Sequence, residues 1–226
     1  AIPLIGCAGN INHFDVRTDR NQTCYDEAKR VGAGYAEAVK KALSSLKPVE
    51  GEGIRSVYGD AVTTPREISA QELSEAQAIC GKYPEIDVES LESSVDLTSE
   101  DLARGTPFAL KYFASTLVKM ANNKTPVVFH LTGFNFGGSA ILVSLPSEPF
   151  IEIGLEIRKG IFGGRLCLVA SHGNGTGGTT YSGGYIPNPW NYGRGGYEDT
   201  PRSNPFSMKS ADVLLAAWRD LAGKLV

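Results

Sequence analysis

Apolar residues recur between Thr23 and Leu46 at three- and four-residue intervals: Tyr25, Ala28, Val31, Tyr35, Val39, Ala42, Leu43 and Leu46. That spacing lines one side of an α-helix and predicts a buried face. Thr23 can cap the helix, Asp26 falls in its first turn, and Lys47-Pro48 ends it. Ile2–Cys7 reads as a short buried strand and Gly53–Thr64 as another. Ser69-Ala-Gln-Glu72 has the form of a capping box, opening a short helix through Ile79-Cys80. Residues 82–97 are polar, acidic and without period, as expected of a surface excursion. A helix capped at Thr98 or Ser99 then runs to about Met120, with Gly105-Thr-Pro107 able to break it. Thr125–Leu131 and Ser139–Leu145, joined by a turn at Gly133–Gly138, predict a hairpin. Pro146-Ser-Glu-Pro149 switches the chain into a helix over Phe150–Lys159, and Arg165–Ala170 is a further strand. The last helix, Ser207–Leu225, buries Ala211, Leu214, Leu215, Trp218, Leu221 and Leu225. Hairpins beside strand–helix–strand units predict one mixed α/β domain over residues 1–226, without linker or internal repeat.

One stretch has no period at all. Ser171–Thr200 follows an apolar strand and runs for about thirty residues, far beyond an ordinary connection. It is rich in Gly, yet it carries Tyr181, Tyr185, Trp190, Tyr192 and Tyr197. Disordered segments are poor in aromatics, so a packed loop is the expectation. Its role is either functional or that of a Gly/Tyr-rich surface loop. Trp190 and Tyr192 also suit a glycan- or lipid-binding surface.

A net charge of −3 leaves no electrostatic footprint for nucleic acid. No apolar run is long enough for a membrane-spanning helix. The chain opens directly in apolar sequence and reads as a piece whose start lies inside a fold. Cys7, Cys24, Cys80 and Cys167 lack metal-ligand spacing; Cys167 is expected to be a buried thiol, and whether Cys7 pairs with Cys24 stays open. Glycosylation acceptor patterns at Asn21, Asn123 and Asn174 lean towards an extracellular or secreted location.

Glu148 is the sharpest candidate for chemistry. A residue before proline is pushed out of the helical region, so Glu148 should be extended where a strand hands over to a helix. That aims a carboxylate past the end of a sheet, where α/β sites lie. Its plainer role is that of a first-turn acid at a helix N-terminus. Tyr185 and Tyr197 offer phenols that can ligate metal or donate to an oxyanion, or simply pack. His13, His130 and His172 are too dispersed for a zinc motif; His130 reads as a hydrogen-bonded core residue, and His13 and His172 adjoin Gly-rich turns. No phosphate-binding loop and no GxSxG elbow is present.

Four stretches, in order, resemble the second half of the catalytic domain of neutral/alkaline (non-lysosomal) ceramidases. They are GCAGNINHFDV with the helix that follows it, ILVSLPSEPFIEIGL, Leu166–Asn174, and Tyr185-Ile-Pro through Gly196-Tyr-Glu198. Their order is joined by spacing: thirty-seven residues separate Glu148 from Tyr185, and twelve more lead to Tyr197. The resemblance covers most of the chain and is least clear over residues 48–125. It implies a zinc ion held by two histidines, a glutamate and a tyrosine, the last two matching Glu148 and Tyr185. Tyr197 matches a tyrosine that interacts with the substrate amide; on that reading Tyr197 and Asn10 are the catalytic candidates, the Gly9-Asn10 turn lining the site from the opposite side through backbone N–H groups. The two histidines belong to the family's earlier half, so an N-terminal fragment or chain is the implied partner. An associated assembly and a lipid amide substrate are implied with it. The family's serine-bearing loop matches Cys7–His13, which has no serine. A non-catalytic assembly or binding protein derived from the same fold is the rival expectation.

Overall fold

A computed structural model describes residues 3–91, 101, 104–173, 176–177 and 183–226. It is mixed α/β. The helices are α1 (Tyr25–Leu43), α2 (Ala70–Lys82), the short α3 (Val88–Leu91), α4 (Pro107–Asn122), α5 (Ile151–Leu155, continued by a π turn over Glu156–Ile161) and α6 (Ser210–Leu225). The strands are β1 (Ile54–Thr63), β2 (Val127–Phe136), β3 (Ala140–Ser144), β4 (Glu148–Pro149), β5 (Cys167–Ala170), β6 (Thr176–Gly177) and β7 (Tyr185–Ile186). The main sheet runs β1-β2-β3-β5, antiparallel until β5 joins β3 in parallel, with β6 against β2. A second, two-stranded parallel sheet pairs β4 with β7.

Strand alternation decides which face becomes core. Val57 and Ala61 of β1, Phe129 and Leu131 of β2 and Ile141 and Val143 of β3 point to one side and are buried. There they meet Leu214, Trp218 and Leu225 of α6 and Ile153 and Ile157 of the α5 region. The opposite face leaves Tyr58, Val62 and Leu168 exposed.

The capping box at Ser69 forms with both of its hydrogen bonds, because it needs nothing beyond four consecutive residues. Pro107 stands at the start of α4 and Thr106 caps it, so Gly105-Thr-Pro interrupts the expected long helix. The candidate caps Thr98 and Ser99 lie outside the described residues. Residues 3–6 do not join the sheet as a strand. A backbone bond from Ser171 N–H to Ile5 ties them to the end of β5, Pro3 has no N–H to give, and Leu4 and Ile5 stay exposed. Gly133 lies inside β2 rather than in a turn, which moves to Gly137-Gly138, both at positive φ. Among the described residues no helix is long and apolar enough to cross a membrane.

Helix α1 corrects the largest expectation. It forms over Tyr25–Leu43, with Cys24 rather than Thr23 at its N-cap and Leu46 beyond its end, but its apolar stripe is not buried: Tyr35 is 72% exposed and Leu43 59%. Its one buried residue is Glu27, clamped by Arg20 at 2.8 Å and Arg30 at 2.6 Å. Arg30 first, then Arg20, holds the Glu27 carboxyl down to about 2. A depressed carboxyl stabilises the fold above its unfolded value, and that contribution is lost as pH falls through the folded one. Acidification from about pH 4.5 towards 2 should therefore loosen the first turn of α1. Hydrogen exchange of the α1 amides checks this, and Glu27→Gln should remove the pH dependence. An unchanged exchange pattern across that range would contradict the clamp.

Candidate functional site

The site forms where β3 and β5, parallel to one another, end together. After β3 the chain passes Leu145-Pro146 and reaches Ser147, held at φ 57°. Glu148 follows, extended in β4 as its position before proline predicts. Its strand is gripped from two sides. Glu148 N–H donates to Gly184 at 3.0 Å and Phe150 N–H to Ile186 at 3.1 Å, which sets Glu148 opposite Tyr185 in register. From the N-terminal turn, Gly9 N–H donates to the Pro149 carbonyl at 3.0 Å.

Tyr185 itself is anchored by a bond from its N–H to Ser203 at 2.8 Å. Its hydroxyl lies 2.8 Å from that of Tyr197, and the two rings meet edge to face with centroids 5.4 Å apart. Gly196 is extended, and the following 3₁₀ turn over Tyr197–Asp199 presents the second phenol. Three residues far apart in sequence thus converge. Burial pushes the Tyr185 phenol well above its ordinary range, and the Tyr197 hydroxyl and the Glu148 charge push it further. A carboxylate against a phenol disfavours the phenolate; a cation between them would reverse that balance.

Asn10 is present beside this cluster in a holding role. Its amide donates to both Glu152 oxygens, at 3.3 and 3.0 Å, and its carbonyl accepts from Ile151 N–H at 2.9 Å. Asn188 donates to the same carboxylate at 3.2 Å. Glu152 therefore ties the N-terminal turn, α5 and the long loop together. Sequence reading missed Glu152 and Asn188, because no local pattern joins residues so far apart. A cavity of about 190 Å³, lined among others by Asn10, Phe150, Arg194 and Asp199, adjoins the Tyr197 turn.

The histidines scatter as expected. His13 Nε2 bonds the Gln22 carbonyl at 3.0 Å. His130 is exposed rather than in the core: it sits on the open sheet face, and its Nδ1 lies 2.7 Å from Asp60. His172 follows β5. All four cysteines are free thiols, so Cys7 and Cys24 do not pair. Burial pushes Cys7 up to about 12 and Cys167 to about 11, which makes both poor nucleophiles and ligands.

Ser147 carries two strains. It is a non-glycine residue in the left-handed region, and its buried hydroxyl has no hydrogen-bond partner among the described residues. Ser147→Gly removes both, at the expense of some unfolded-chain entropy. The expected result is a net stabilisation of about 1 kcal/mol, read from urea or thermal unfolding. A destabilised glycine variant would mean that the hydroxyl holds something in place.

Zinc takes about four donors, in protein sites chiefly N, S and carboxylate O. Among the described residues no group of three or more His, Cys, Asp or Glu side chains forms. Glu148 and Tyr185 stand opposite one another as two oxygen-bearing groups, which by themselves are fewer than a zinc ion takes. No family model, curated protein or solved structure matches the chain.

Proposed function

We propose that the chain supplies one part of the site of a zinc-dependent amide hydrolase of the neutral ceramidase type. One observation carries this: Glu148, Tyr185 and Tyr197, the residues picked out by the family resemblance, meet at one place in the fold. Glu148 and Tyr185 would hold the metal, with imidazoles from a companion N-terminal fragment or chain. Zinc, when bound, supplies Lewis-acid polarisation of the amide carbonyl. Tyr197 would donate its O–H to the carbonyl oxygen as negative charge develops on it. Tyr185 keeps that phenol in place through the 2.8 Å contact. Asn10 and Glu152 set the position of the Glu148 segment from the side opposite β7. A lipid amide is the substrate class, resting on the resemblance.

The assembled protein should contain about one zinc per site, and Glu148→Ala should lose it. Tyr197→Phe should retain metal and lower kcat roughly 100-fold, the size expected for one oxyanion donor. Metal analysis finding no zinc in assembled, folded protein would end this reading.

The exposed apolar stripe of α1 and the open sheet face favour a companion under any reading. They also support the rival, a non-catalytic assembly protein. Homopolymers without a companion polypeptide in purified material would favour that rival.

A further inference from the structure

A groove of about 310 Å³ runs between three pieces of backbone: the N-terminal segment at Leu4 and Cys7, the α5 region at Leu155 and Arg158, and β5 at Leu168 and Val169. Its position follows from how the sheet ends. β5 is the last strand of the main sheet, and among the described residues no further strand joins it. Residues 3–6 cross that edge without becoming a strand, tied at Ser171, whose N–H donates to Ile5 at 2.7 Å and whose hydroxyl donates to Gly6 at 2.9 Å. Cys7 then seats against α5 at Gly154, where a β-carbon would stand 2.9 Å from its sulfur. Glu148, Tyr185 and Tyr197 are not among the walls, so the groove is separate from the site described above and independent of the zinc reading.

The walls are apolar apart from one group. Arg158 is the single charged residue that lines the groove. Its charge reaches inward: burial raises the Cys167 thiol, and the Arg158 guanidinium opposes that shift. Among the described residues Arg158 has no ion-pair partner, and Glu156, two positions before it, is bonded to Arg219 at 2.9 Å. A guanidinium stays charged and presents paired N–H donors in the geometry of a carboxylate. Leu4, Leu166 and Leu168 meanwhile leave apolar surface open to water. One molecule that covers this surface and carries one negative charge answers both needs. A cationic head would be repelled, and a doubly charged phosphate would find only one guanidinium.

We propose that this groove binds a single-chain carboxylate amphiphile, its alkyl chain lying along Leu4, Leu155 and Leu168 and its carboxylate paired with the Arg158 guanidinium. The volume falls at the lower end of the roughly 300–1,000 Å³ found for small-molecule sites, which suits one chain rather than two.

The test is titration of the isotope-labelled chain with dodecanoate, kept below its micelle concentration and followed by amide NMR spectra. The amides of Gly6, Gly154 and Val169 should shift and saturate together. Arg158 is exposed, so Arg158→Gln should fold as wild type, which the same spectra report, and should bind at least roughly 10-fold more weakly. Octanoate should bind wild type at least roughly 10-fold more weakly than dodecanoate, since it buries fewer methylenes. Dodecyltrimethylammonium should not saturate the groove. Wild-type affinity in Arg158→Gln, or equal binding of the cationic amphiphile, overturns the carboxylate assignment. Shifts along the exposed stripe of α1 as large as those in the groove mean adsorption to any apolar surface and overturn the site. No saturable binding of dodecanoate overturns the proposal and leaves the groove to a companion polypeptide.

Discussion

Gly9→Ala is expected to unseat the Glu148 segment. Gly9 is buried in the N-terminal turn, and a β-carbon there would stand 2.4 Å from the Glu148 backbone oxygen and 3.0 Å from the Phe150 ring. The oxygen belongs to a strand bonded on its other edge by Gly184 and Ile186, so it cannot simply give way. Overpacking of this kind costs roughly 1–3 kcal/mol, a fall of roughly 5 °C in Tm for a chain of this size. Any metal bound through Glu148 should weaken as well, since the strand must shift to admit the methyl. Gly32→Ala makes the comparison. It lies in α1 with nothing within 4 Å of the added carbon, and alanine there should stabilise by about 0.5–1 kcal/mol. Thermal unfolding of the two variants should therefore move in opposite directions. A Gly9→Ala protein that melts with wild type would show that the turn does not press on the site.

Trp218→Ala should have the largest effect on stability. The indole is fully buried, packs edge-on against Phe162 with centroids 6.5 Å apart, and faces Gly133 on β2. Gly133 has no side chain because the space belongs to Trp218 and Leu225: a β-carbon would come within 3.2 Å of the ring and 2.9 Å of the leucine. Truncating such a residue leaves a cavity between helix and sheet and costs about 3–5 kcal/mol, or roughly 10 °C in Tm. Trp218→Phe separates packing from polarity. The Nε1–H is buried without a partner among the described residues, so phenylalanine removes an unpaired donor while keeping much of the apolar contact. Its destabilisation should be well under half that of alanine. Equal losses in the two variants would mean that the N–H is satisfied in solution.

Local chemistry was legible wherever a few neighbouring residues suffice. The Ser69 capping box needs four, the Pro107 start of α4 needs two, and the extended Glu148 follows from Pro149 alone. Periodicity found α1 and α6 alike. It could not tell that α6 is covered by the sheet while the apolar side of α1 is bare, because a pattern shows which side is apolar and not what lies against it. Gly133 was misread as a turn residue for a related reason. A glycine that makes room for a distant indole looks in sequence like a glycine that bends the chain.

Pattern along the chain did not foresee that residues 3–6 form no strand or that β4 and β7 exist, but it was enough for the mixed α/β class and, with the family resemblance, for Glu148, Tyr185 and Tyr197 as candidates. Tertiary structure alone decided that these three meet. It also decided that Asn10 is spent on Glu152 and that the chain enters Glu148 through a left-handed Ser147. Local conformation is set by bonds and sterics within a few residues, which a sequence displays directly. Convergence across thirty-seven residues or more depends on which strands pair and in what register, and those are properties of the folded whole.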